Sequence, residues 1–223
     1  MKKTVIITGA NRGLGEAFVA VLQKDKDCCV ISLSRSLSEG QKDYPKNNFH
    51  FVEVDLSKQD VSEKILVLKD FVKSEVVYFI NNASIIEPVI KIEDLNEIVI
   101  DRTLAVNVKS TILITKYLLK NFNSNAIKFV NISSGAANSP ISNWSLYCSS
   151  KAFIQMFFKV AESEYTQHSF FNIDPGVMDT NMQKSLRGSD FPDVQNFKDL
   201  NKQGKLKSPK EVAVEILKKI NFK

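Results

Sequence analysis

The sequence predicts an α/β fold in which one parallel sheet is covered by helices on both faces. Short β-branched or aromatic runs alternate with longer helix-like stretches along the 223 residues. Most of these runs are apolar throughout instead of alternating with period two, which is typical of parallel strands buried on both faces. A glycine-rich turn directly follows the first run and leads into the first helix-like stretch. Together these features predict a doubly wound sheet.

The individual elements follow from this alternation. Strands are expected at residues 4–8, 29–34, 49–54, 76–81, 127–133 and 170–173. Helices are expected at residues 14–23, 57–72, 101–122, 147–165 and 209–220. Ser208 is the expected N-cap of the last helix, because Pro209 follows it at the first helical position, where the missing N–H costs nothing.

Two connections lack a strong helical pattern. Residues 35–48 contain Gly40, Pro45 and few apolar residues, so any helix there is expected to be short. Residues 182–203 hold no strong helical period, and an irregular excursion near the end of a scaffold often covers a ligand. We therefore expect residues 182–204 to cover the substrate.

Composition indicates one domain and no membrane association. With 43% hydrophobic residues and no internal repeat, residues 1–223 are expected to bury a single core. The longest apolar run, residues 76–80, is far shorter than the ~20 residues that cross a bilayer. No signal-peptide core follows the basic start, so a cytoplasmic protein is expected.

The charged and metal-binding residue types indicate neither a nucleic-acid site nor a metal site. The net charge is +5, but the lysines are scattered and no aromatic stripe accompanies them, so we interpret them as solvated surface. His50 and His168 lie on different predicted elements, without other ligands at metal-binding spacing. The cysteines, Cys28, Cys29 and Cys148, are expected to be reduced.

The glycine-rich turn has the composition of a phosphate-binding loop. It reads Thr8-Gly9-Ala10-Asn11-Arg12-Gly13-Leu14-Gly15. Glycine lets the backbone approach a pyrophosphate, and the N-terminus of the next helix offers free N–H groups and a partial positive charge. No Gly-Lys-Ser/Thr ends the loop, so it is not a Walker loop. A dinucleotide fits this pattern, and a βα turn that holds nothing is the alternative.

The end of the second strand indicates which dinucleotide binds. Folds that bind NAD usually place an acid there for the ribose 2′-hydroxyl, but this strand ends Ser34-Arg35. Arg35, with Arg12 in the loop, favours a 2′-phosphate. NADP(H) is therefore the predicted cofactor, and a surface arginine without a role is the alternative.

Three polar residues form a candidate catalytic site. Tyr147 and Lys151 are four positions apart, so in a helix they share one face and their polar ends converge on one ligand. Ser134 stands at the end of the fifth predicted strand, and parallel sheets bind ligands at the carboxyl ends of their strands. The Tyr-x-x-x-Lys pair alone is common by chance, so the prediction depends on the combination.

These motifs, in this order, make the chain similar to the short-chain dehydrogenase/reductase family of Rossmann-type enzymes, over nearly its whole length. Asp55-Leu56, Asn81-Asn82-Ala83 and residues 175–180 match further motifs of that family. The resemblance implies that Asn107, Ser134, Tyr147 and Lys151 are catalytic. Substrate contacts are expected at Ser134, Tyr147 and Gly176, and also at Trp144 because it lies three residues before Tyr147. Cofactor contacts are expected at Gly9, Asn11, Arg12, Gly13, Leu14, Gly15, Ser34, Arg35, Asp55, Leu56, Asn82, Ala83, Tyr147, Lys151, Pro175, Gly176, Val177, Thr180 and Met182.

The expected roles leave some alternatives open. Tyr147 is expected to act as the acid, and the Lys151 ammonium is expected to lower its pKa. Asn107 either holds a water that links Lys151 to solvent or is a helix-kink asparagine bonded only to backbone. Trp144 is either a wall for an aromatic substrate or a core residue. Asp174 either touches substrate or bonds to neighbouring backbone or solvent.

A narrower likeness concerns the substrate. Residues 132–136, 144–148, 179–183 and 204–206 resemble the subfamilies of sepiapterin reductase and of the benzil reductase that forms (S)-benzoin. This implies NADPH-dependent reduction of a 1,2-dicarbonyl compound, benzil-like or pterin-like, to a hydroxyketone or alcohol. The alternatives are another substrate, such as a 3-oxoacyl thioester, and a non-catalytic NADP-binding regulator.

Departures from the family pattern concern the pocket and the sheet edge. Ser84 replaces the usual glycine after Asn-Asn-Ala. Many family members continue beyond the last helix into a seventh strand, and its presence here is left open. The stretches 101–122 and 147–165 carry apolar residues on more than one face, so a homodimer is expected.

Overall fold

The computed structural model describes residues 2–204 and 206–222. Lys205, which belongs to the 204–206 likeness, lies outside the described residues, as do Met1 and Lys223. The strands are β1 (Lys3–Thr8), β2 (Cys28–Ser34), β3 (Phe49–Glu53), β4 (Val76–Asn81), β5 (Ala126–Ile132) and β6 (Ser169–Ile173). In the described part of the chain they form one sheet in the order β3-β2-β1-β4-β5-β6, and every neighbouring pair is parallel. Each predicted strand is confirmed to within one residue at either end.

Helices lie between the strands and also follow the last strand, β6. They are α1 (Gly13–Leu22), α2 (Val61–Lys64), α3 (Leu68–Phe71), α4 (Glu97–Leu104), α5 (Ser110–Asn121), α6 (Ser145–Glu164), α7 (Asn181–Gly188), α8 (Val194–Lys202) and α9 (Pro209–Lys219). Short 3₁₀ turns occupy Glu39–Gln41, Ile65–Val67, Ile92–Asp94 and Gly135–Ala137, and a π-helical segment occupies Ala105–Lys109.

Each face of the sheet buries its own core. Ile7 of β1 belongs to a buried cluster with Phe18 of α1 and Ile216 of α9. Its neighbour Ile6 points to the opposite face and joins a second cluster with Phe158 of α6. The predicted doubly wound fold with helices on both faces is therefore confirmed. The strand order reverses between β1 and β4, and this is the place where such sheets open a crevice for ligands.

Two of the predicted helices have different bounds from those expected. Asp55 Oδ1 accepts the N–H (2.9 Å) and the hydroxyl (2.7 Å) of Ser57, which holds the chain in a turn, so helix 57–72 begins only at Val61 and is interrupted by a 3₁₀ turn. Helix 101–122 begins earlier, because Asn96 Oδ1 accepts the N–H of Val99 at 3.0 Å and caps α4. The π-helical segment then separates α4 from α5.

The expectation that residues 182–203 are irregular is wrong, because α7 and α8 form there. Thr180 caps α7 by accepting the N–H of Gln183 at 3.4 Å. Met182 and Leu186 of α7 pack into an aromatic cluster around Trp144. Both helices are short and carry only a few apolar residues, so their period is weak in the sequence and packing against the aromatic side chains decides their structure.

β6 is the edge strand of the sheet, and the segment after it forms one isolated β-bridge. Within the described residues no seventh strand follows β6, and Met178 forms one parallel bridge with Lys207. Across residues 2–204 and 206–222 no helix has the length and apolar character needed to cross a membrane.

Candidate active site

The glycine-rich turn has a backbone that only glycine adopts without strain. Gly9 and Gly13 have φ angles of +63° and +55°, a region that disfavours side chains. At Gly15, an added Cβ would lie 2.2 Å from the carbonyl oxygen of Gly9, so no side chain fits there. Arg12, the N-cap of α1, makes no side-chain capping bond. The loop therefore leads into a helix N-terminus whose N–H groups lack a side-chain cap and can bind an anionic ligand.

Asn82 and Thr8 hold this loop against the end of β4. Asn82 Nδ2 donates to the carbonyl oxygens of Thr8 (2.9 Å) and Gly9 (3.2 Å). In return, Thr8 Oγ1 accepts the backbone N–H groups of Asn82 and Ala83, both at 3.0 Å. The Asn-Asn-Ala motif therefore shapes the loop from behind, a role that adds to the support of the sheet and the cofactor contact that the family resemblance implies.

Gln41 is a further support for the loop that the sequence analysis missed. Its Nε2 donates to the Ala10 carbonyl oxygen at 2.6 Å, and its side chain is 2% exposed. Gln41 also accepts the Ser38 N–H at 3.3 Å in a capping box that starts the 3₁₀ turn Glu39–Gln41. Ser38 followed by glutamine three positions later is the one local signal that marks this residue.

Exposed cations flank the loop at the end of β2. Arg12 and Arg35 are exposed, and neither forms a salt bridge with any described residue. Burial raises the pKa of Asp55, but hydrogen bonds from Ser57 and the charge of Arg35 outweigh it and leave that pKa below its usual value. Both guanidinium groups are therefore available to an anionic ligand.

Small polar residues fix the turn between these cations. Ser34 is buried and donates to the Ser36 carbonyl oxygen at 3.0 Å. Asn11 Nδ2 donates to the Ser36 hydroxyl at 3.1 Å and so connects the loop to the end of β2. Asp55 and Leu56 follow β3 next to this turn, and Leu56 is buried in the core.

Ser134, Tyr147 and Lys151 lie together, as their spacing predicts. Ser134 follows β5 and caps the 3₁₀ turn Gly135–Ala137 by accepting the Ala136 N–H at 3.2 Å. Tyr147 and Lys151 sit on α6 and are 8% and 7% exposed. The Lys151 ammonium lies 5.6 Å from the centre of the Tyr147 ring and donates to the Ile132 carbonyl oxygen at 2.7 Å.

Burial dominates the proton affinities of this group. It raises the pKa of Tyr147 to about 12, although a hydrogen bond with Ser134 lowers it and the Asp174 carboxylate raises it further. Burial lowers the pKa of Lys151 to about 8, against the opposing effect of Asp174. In this structure burial therefore sets the pKa of Tyr147, and the expected lowering of that pKa by the Lys151 charge stays a prediction.

Asn107 lies in the π-helical segment and uses its side chain to connect elements. Its Oδ1 accepts the Ile85 N–H, and its Nδ2 donates to the Ile85 carbonyl oxygen, both at 2.8 Å. Nδ2 also donates to the Ser150 hydroxyl on α6 at 3.0 Å. Both amide donors are used, and the bond to the Ser150 side chain contradicts the alternative of an asparagine bonded only to backbone. The water that would link Lys151 to solvent stays a prediction. Single π turns are frequent at functional sites.

The segment after β6 runs from Asp174 to Thr180 and reaches the glycine-rich loop. Asp174 Oδ1 accepts the Gly176 N–H at 2.9 Å, which agrees with the alternative of a carboxylate bonded to neighbouring backbone. Gly176 has a φ of +71°. Thr180 packs against the glycine loop: a Cβ added to Gly13 would lie 3.6 Å from Thr180 Cγ2. Pro175 is half-buried and Val177 is exposed beside them.

Trp144 lies in an aromatic cluster between α6 and the helices α7 and α8. It is 5% exposed, and its ring contacts Tyr147 at 5.8 Å between centroids and Phe191 and Phe197 at 5.6 Å each. Met182 packs against the same cluster. Residues 182–204 thus cover this part of the molecule, and Trp144 is both buried and in contact with the candidate acid.

Two remaining predictions concern Ser84 and metals. Ser84 takes the usual glycine position, and its hydroxyl has no hydrogen-bond partner among the described residues. Within those residues no group of three or more His, Cys, Asp or Glu side chains is arranged to hold a metal ion.

Comparison with known proteins now assigns the chain to a family. The family model of short chain dehydrogenases matches residues 3–190. The chain belongs to this family. It is therefore an oxidoreductase of a family that binds a nicotinamide cofactor.

Curated relatives of the chain include reductases of the two kinds that the narrower likeness names. It is 33% identical to the (S)-benzoin-forming benzil reductase of Bacillus subtilis, over 95% of this chain and 90% of that protein. It is 28% identical to sepiapterin reductase of Bos taurus, over 95% of this chain and 87% of that protein.

Solved structures share the fold. The crystal structure of the KRED1-Pglu enzyme has a TM-score of 0.85 and 29% identity, covering 95% of this chain and 92% of that chain. The structure of ElxO with NADP bound has a TM-score of 0.78 and 25% identity, covering 97% and 90%.

Proposed function

We propose that the protein is an NADPH-dependent carbonyl reductase that reduces a 1,2-dicarbonyl compound, benzil-like or pterin-like, to a hydroxyketone or alcohol. The convergence of Ser134, Tyr147 and Lys151 beside a glycine loop is the observation that carries this proposal. The names of the relatives, benzil reductase and sepiapterin reductase, support the substrate class.

The loop supports the binding of a dinucleotide. The positive φ angles of Gly9 and Gly13 and the absence of room for a side chain at Gly15 fit a pyrophosphate against the N-terminus of α1. The residues that would hold the rest of the cofactor are Asn11, Leu14, Asp55, Leu56, Asn82, Ala83, Tyr147, Lys151, Pro175, Gly176, Val177, Thr180 and Met182. When bound, the cofactor supplies a hydride to the carbonyl carbon.

The exposed cations support NADP(H) over NAD(H). Arg35 stands at the end of β2, where an acid would otherwise accept the ribose 2′-hydroxyl, and Arg12 lies in the adjacent loop. Neither is neutralised by a salt bridge to a described residue, so both are free to bind a 2′-phosphate. The solved structure of ElxO with NADP supports the same choice.

Tyr147 and Ser134 supply the proton and the hydrogen bond that the reduced carbonyl needs. The oxygen gains negative charge as hydride reaches the carbon, so a donor beside it stabilises the transition state. A pKa of about 12 keeps Tyr147 protonated at neutral pH, which suits an acid in the direction of reduction. Lys151 lies close enough to stabilise the tyrosinate that remains. Asn107 is a positioning residue, because it connects α6 to the segment after β4.

A panel of diketones, pterins and quinones, monitored by NADPH absorbance, tests the function directly. We expect the highest kcat/KM on a vicinal diketone or pterin dicarbonyl, and a product analysed as the hydroxyketone or alcohol. Greater activity on a 3-oxoacyl thioester would overturn the substrate class. Tight NADPH binding without turnover on any carbonyl compound would favour the non-catalytic regulator instead.

We also propose a homodimer formed through α5 and α6. Phe153, Met156 and Val160 of α6 are 51%, 58% and 48% exposed, and a groove between the helices is lined by Leu119 and Phe157. Large exposed apolar patches of this kind mark association surfaces. Light scattering at micromolar concentration should give twice the 25.1 kDa chain mass, and a monomer at that concentration would contradict the proposal.

A further inference from the structure

The indole N–H of Trp144 is a buried donor that has no acceptor within the described part of the chain. The side chain is 5% exposed, and its Nε1 has no hydrogen-bond partner among the described residues. Most buried polar groups in native proteins are paired, so an unpaired one needs an explanation, and a ligand that supplies the missing acceptor is one.

The position of the Trp144 indole indicates which ligand could supply the acceptor. Trp144 is the N-cap of α6, three positions before Tyr147, and the two rings meet edge to face at 85°. Its other ring contacts, Phe191 and Phe197, come from the segment that covers the cluster. None of these rings offers a strong acceptor, and the remaining members of the cluster are mostly apolar. A substrate that reaches Tyr147 can therefore supply the missing acceptor.

We propose that Trp144 Nε1–H donates a hydrogen bond to the second carbonyl oxygen of the 1,2-dicarbonyl substrate, the one that is not reduced. This inference rests on the proposed function. Ser134 and Tyr147 bind the reacting oxygen, and the two carbonyl carbons are directly bonded, so the second oxygen lies within a few ångströms of the first. No proton leaves Trp144, since an indole N–H is a donor only.

This contact makes Trp144 a specificity-determining residue. A monoketone of the same size leaves the indole N–H unpaired in a desolvated pocket, whereas a dicarbonyl pairs it. Sites built around such a hydrogen bond discriminate strongly against the analogue that lacks the partner. The bond also fixes which of the two carbonyl groups faces Ser134 and Tyr147.

The decisive comparison uses benzil and deoxybenzoin, which differ by the replacement of one carbonyl with a methylene. The measured quantity is the ratio of their kcat/KM values, in the parent and in Trp144→Phe. Loss of one good hydrogen bond should lower this ratio by about 10- to 100-fold. The intrinsic difference in electrophilicity is the same for both proteins and cancels. Phe197→Leu, which removes a ring from the same cluster and no donor, is the matched control and should leave the ratio unchanged.

The possible results separate the two proposals. An unchanged ratio in a folded Trp144→Phe protein that binds NADPH would overturn the inference alone and leave Trp144 as a packing residue. A parent that reduces no dicarbonyl compound would overturn the proposed function, and the inference with it.

A second measurement needs no variant. Trp144 is the chain's single tryptophan, so a ¹⁵N-labelled protein gives one indole N–H resonance. Benzil added to the complex with NADP⁺, which cannot reduce it, should shift the indole proton downfield and slow its exchange with solvent. Deoxybenzoin should do neither. An indole proton that stays unshifted and exchanges equally fast while benzil is bound would contradict the proposal.

Discussion

The cofactor side of the site, made of residues 8–15, Ser34, Arg35 and Asn82, presents backbone groups and exposed cations. The chemistry side, made of Ser134, Trp144, Tyr147 and Lys151, presents side chains that are largely buried. On the chemistry side, burial moves the pKa of Tyr147 to about 12 and that of Lys151 to about 8. We infer that the first side sets affinity and cofactor choice, and that the second sets rate and pH dependence.

The largest expected effect is on the chemistry side alone. Tyr147→Phe removes the proton donor and should lower kcat by about 10²- to 10⁴-fold, the range that general acid catalysis contributes. The Kd for NADPH, measured by fluorescence titration, should change little, because the ring and the glycine loop remain. A variant that turns over at the parental rate would show that Tyr147 is not the acid.

The buried lysine should give the protein an unusual dependence of stability on pH. The pKa of Lys151 is about 8 in the folded protein, below its ordinary value of 10.5, so between these values the unfolded chain binds more protons and the free energy of unfolding rises with pH. Lys151→Met removes this effect. From pH 7 to pH 10 the parent should gain about 2 to 3 kcal/mol relative to the variant.

Denaturant unfolding at the two pH values measures this difference. Other groups titrate in the same range, including Cys28, whose pKa burial raises to about 12. A raised folded pKa such as that of Cys28 opposes the gain as the pH increases, but these groups are common to both proteins and cancel in the comparison. A relative stability that is independent of pH would mean that Lys151 keeps an ordinary pKa.

Cofactor choice should change through the cofactor side alone. Arg35→Ala should weaken NADPH binding by about 10- to 100-fold, the value of one charge-assisted hydrogen bond, and leave NADH binding almost unchanged. High salt should reduce the parental preference, since the contact is exposed. Lys219→Ala, which removes an exposed cation from α9, is the matched control. Equal parental affinities for NADPH and NADH would show that Arg35 has no role in cofactor choice.

The smallest expected effect concerns the hydrogen bond by which Gln41 supports the glycine-rich loop, and its influence on NADPH affinity. Gln41→Ala removes the bond to the Ala10 carbonyl oxygen and should weaken NADPH binding about fivefold, roughly 1 kcal/mol, with kcat unchanged. Gln23→Ala is the control, because Gln23 donates a similar bond, 3.2 Å, to the carbonyl oxygen of Asn48 away from the loop. If the two variants bound NADPH equally well, Gln41 would be a stabilising residue only.

Local sequence patterns could be predicted on both sides of the site, whereas contacts between distant residues could not. The glycine spacing of the loop and the tyrosine–lysine spacing are local patterns, because steric limits at Gly15 and the period of a helix act within a few positions of the chain. Gln41 was missed because its partner, Ala10, lies 31 positions away. The raising of the Tyr147 pKa by burial was also missed, because it depends on how deeply surrounding elements bury the ring.

The sequence by itself determined the order of the strands along the chain, the parallel sheet and the loop. Each depends on residue types whose local preferences agree with the fold, such as apolar runs buried on both faces. Only the tertiary structure decided that residues 181–202 form α7 and α8, that they cover Trp144, and that the indole N–H has no acceptor among residues 2–204 and 206–222. Short, mostly polar helices have too little intrinsic stability to be visible in a sequence, since packing against distant side chains supplies it.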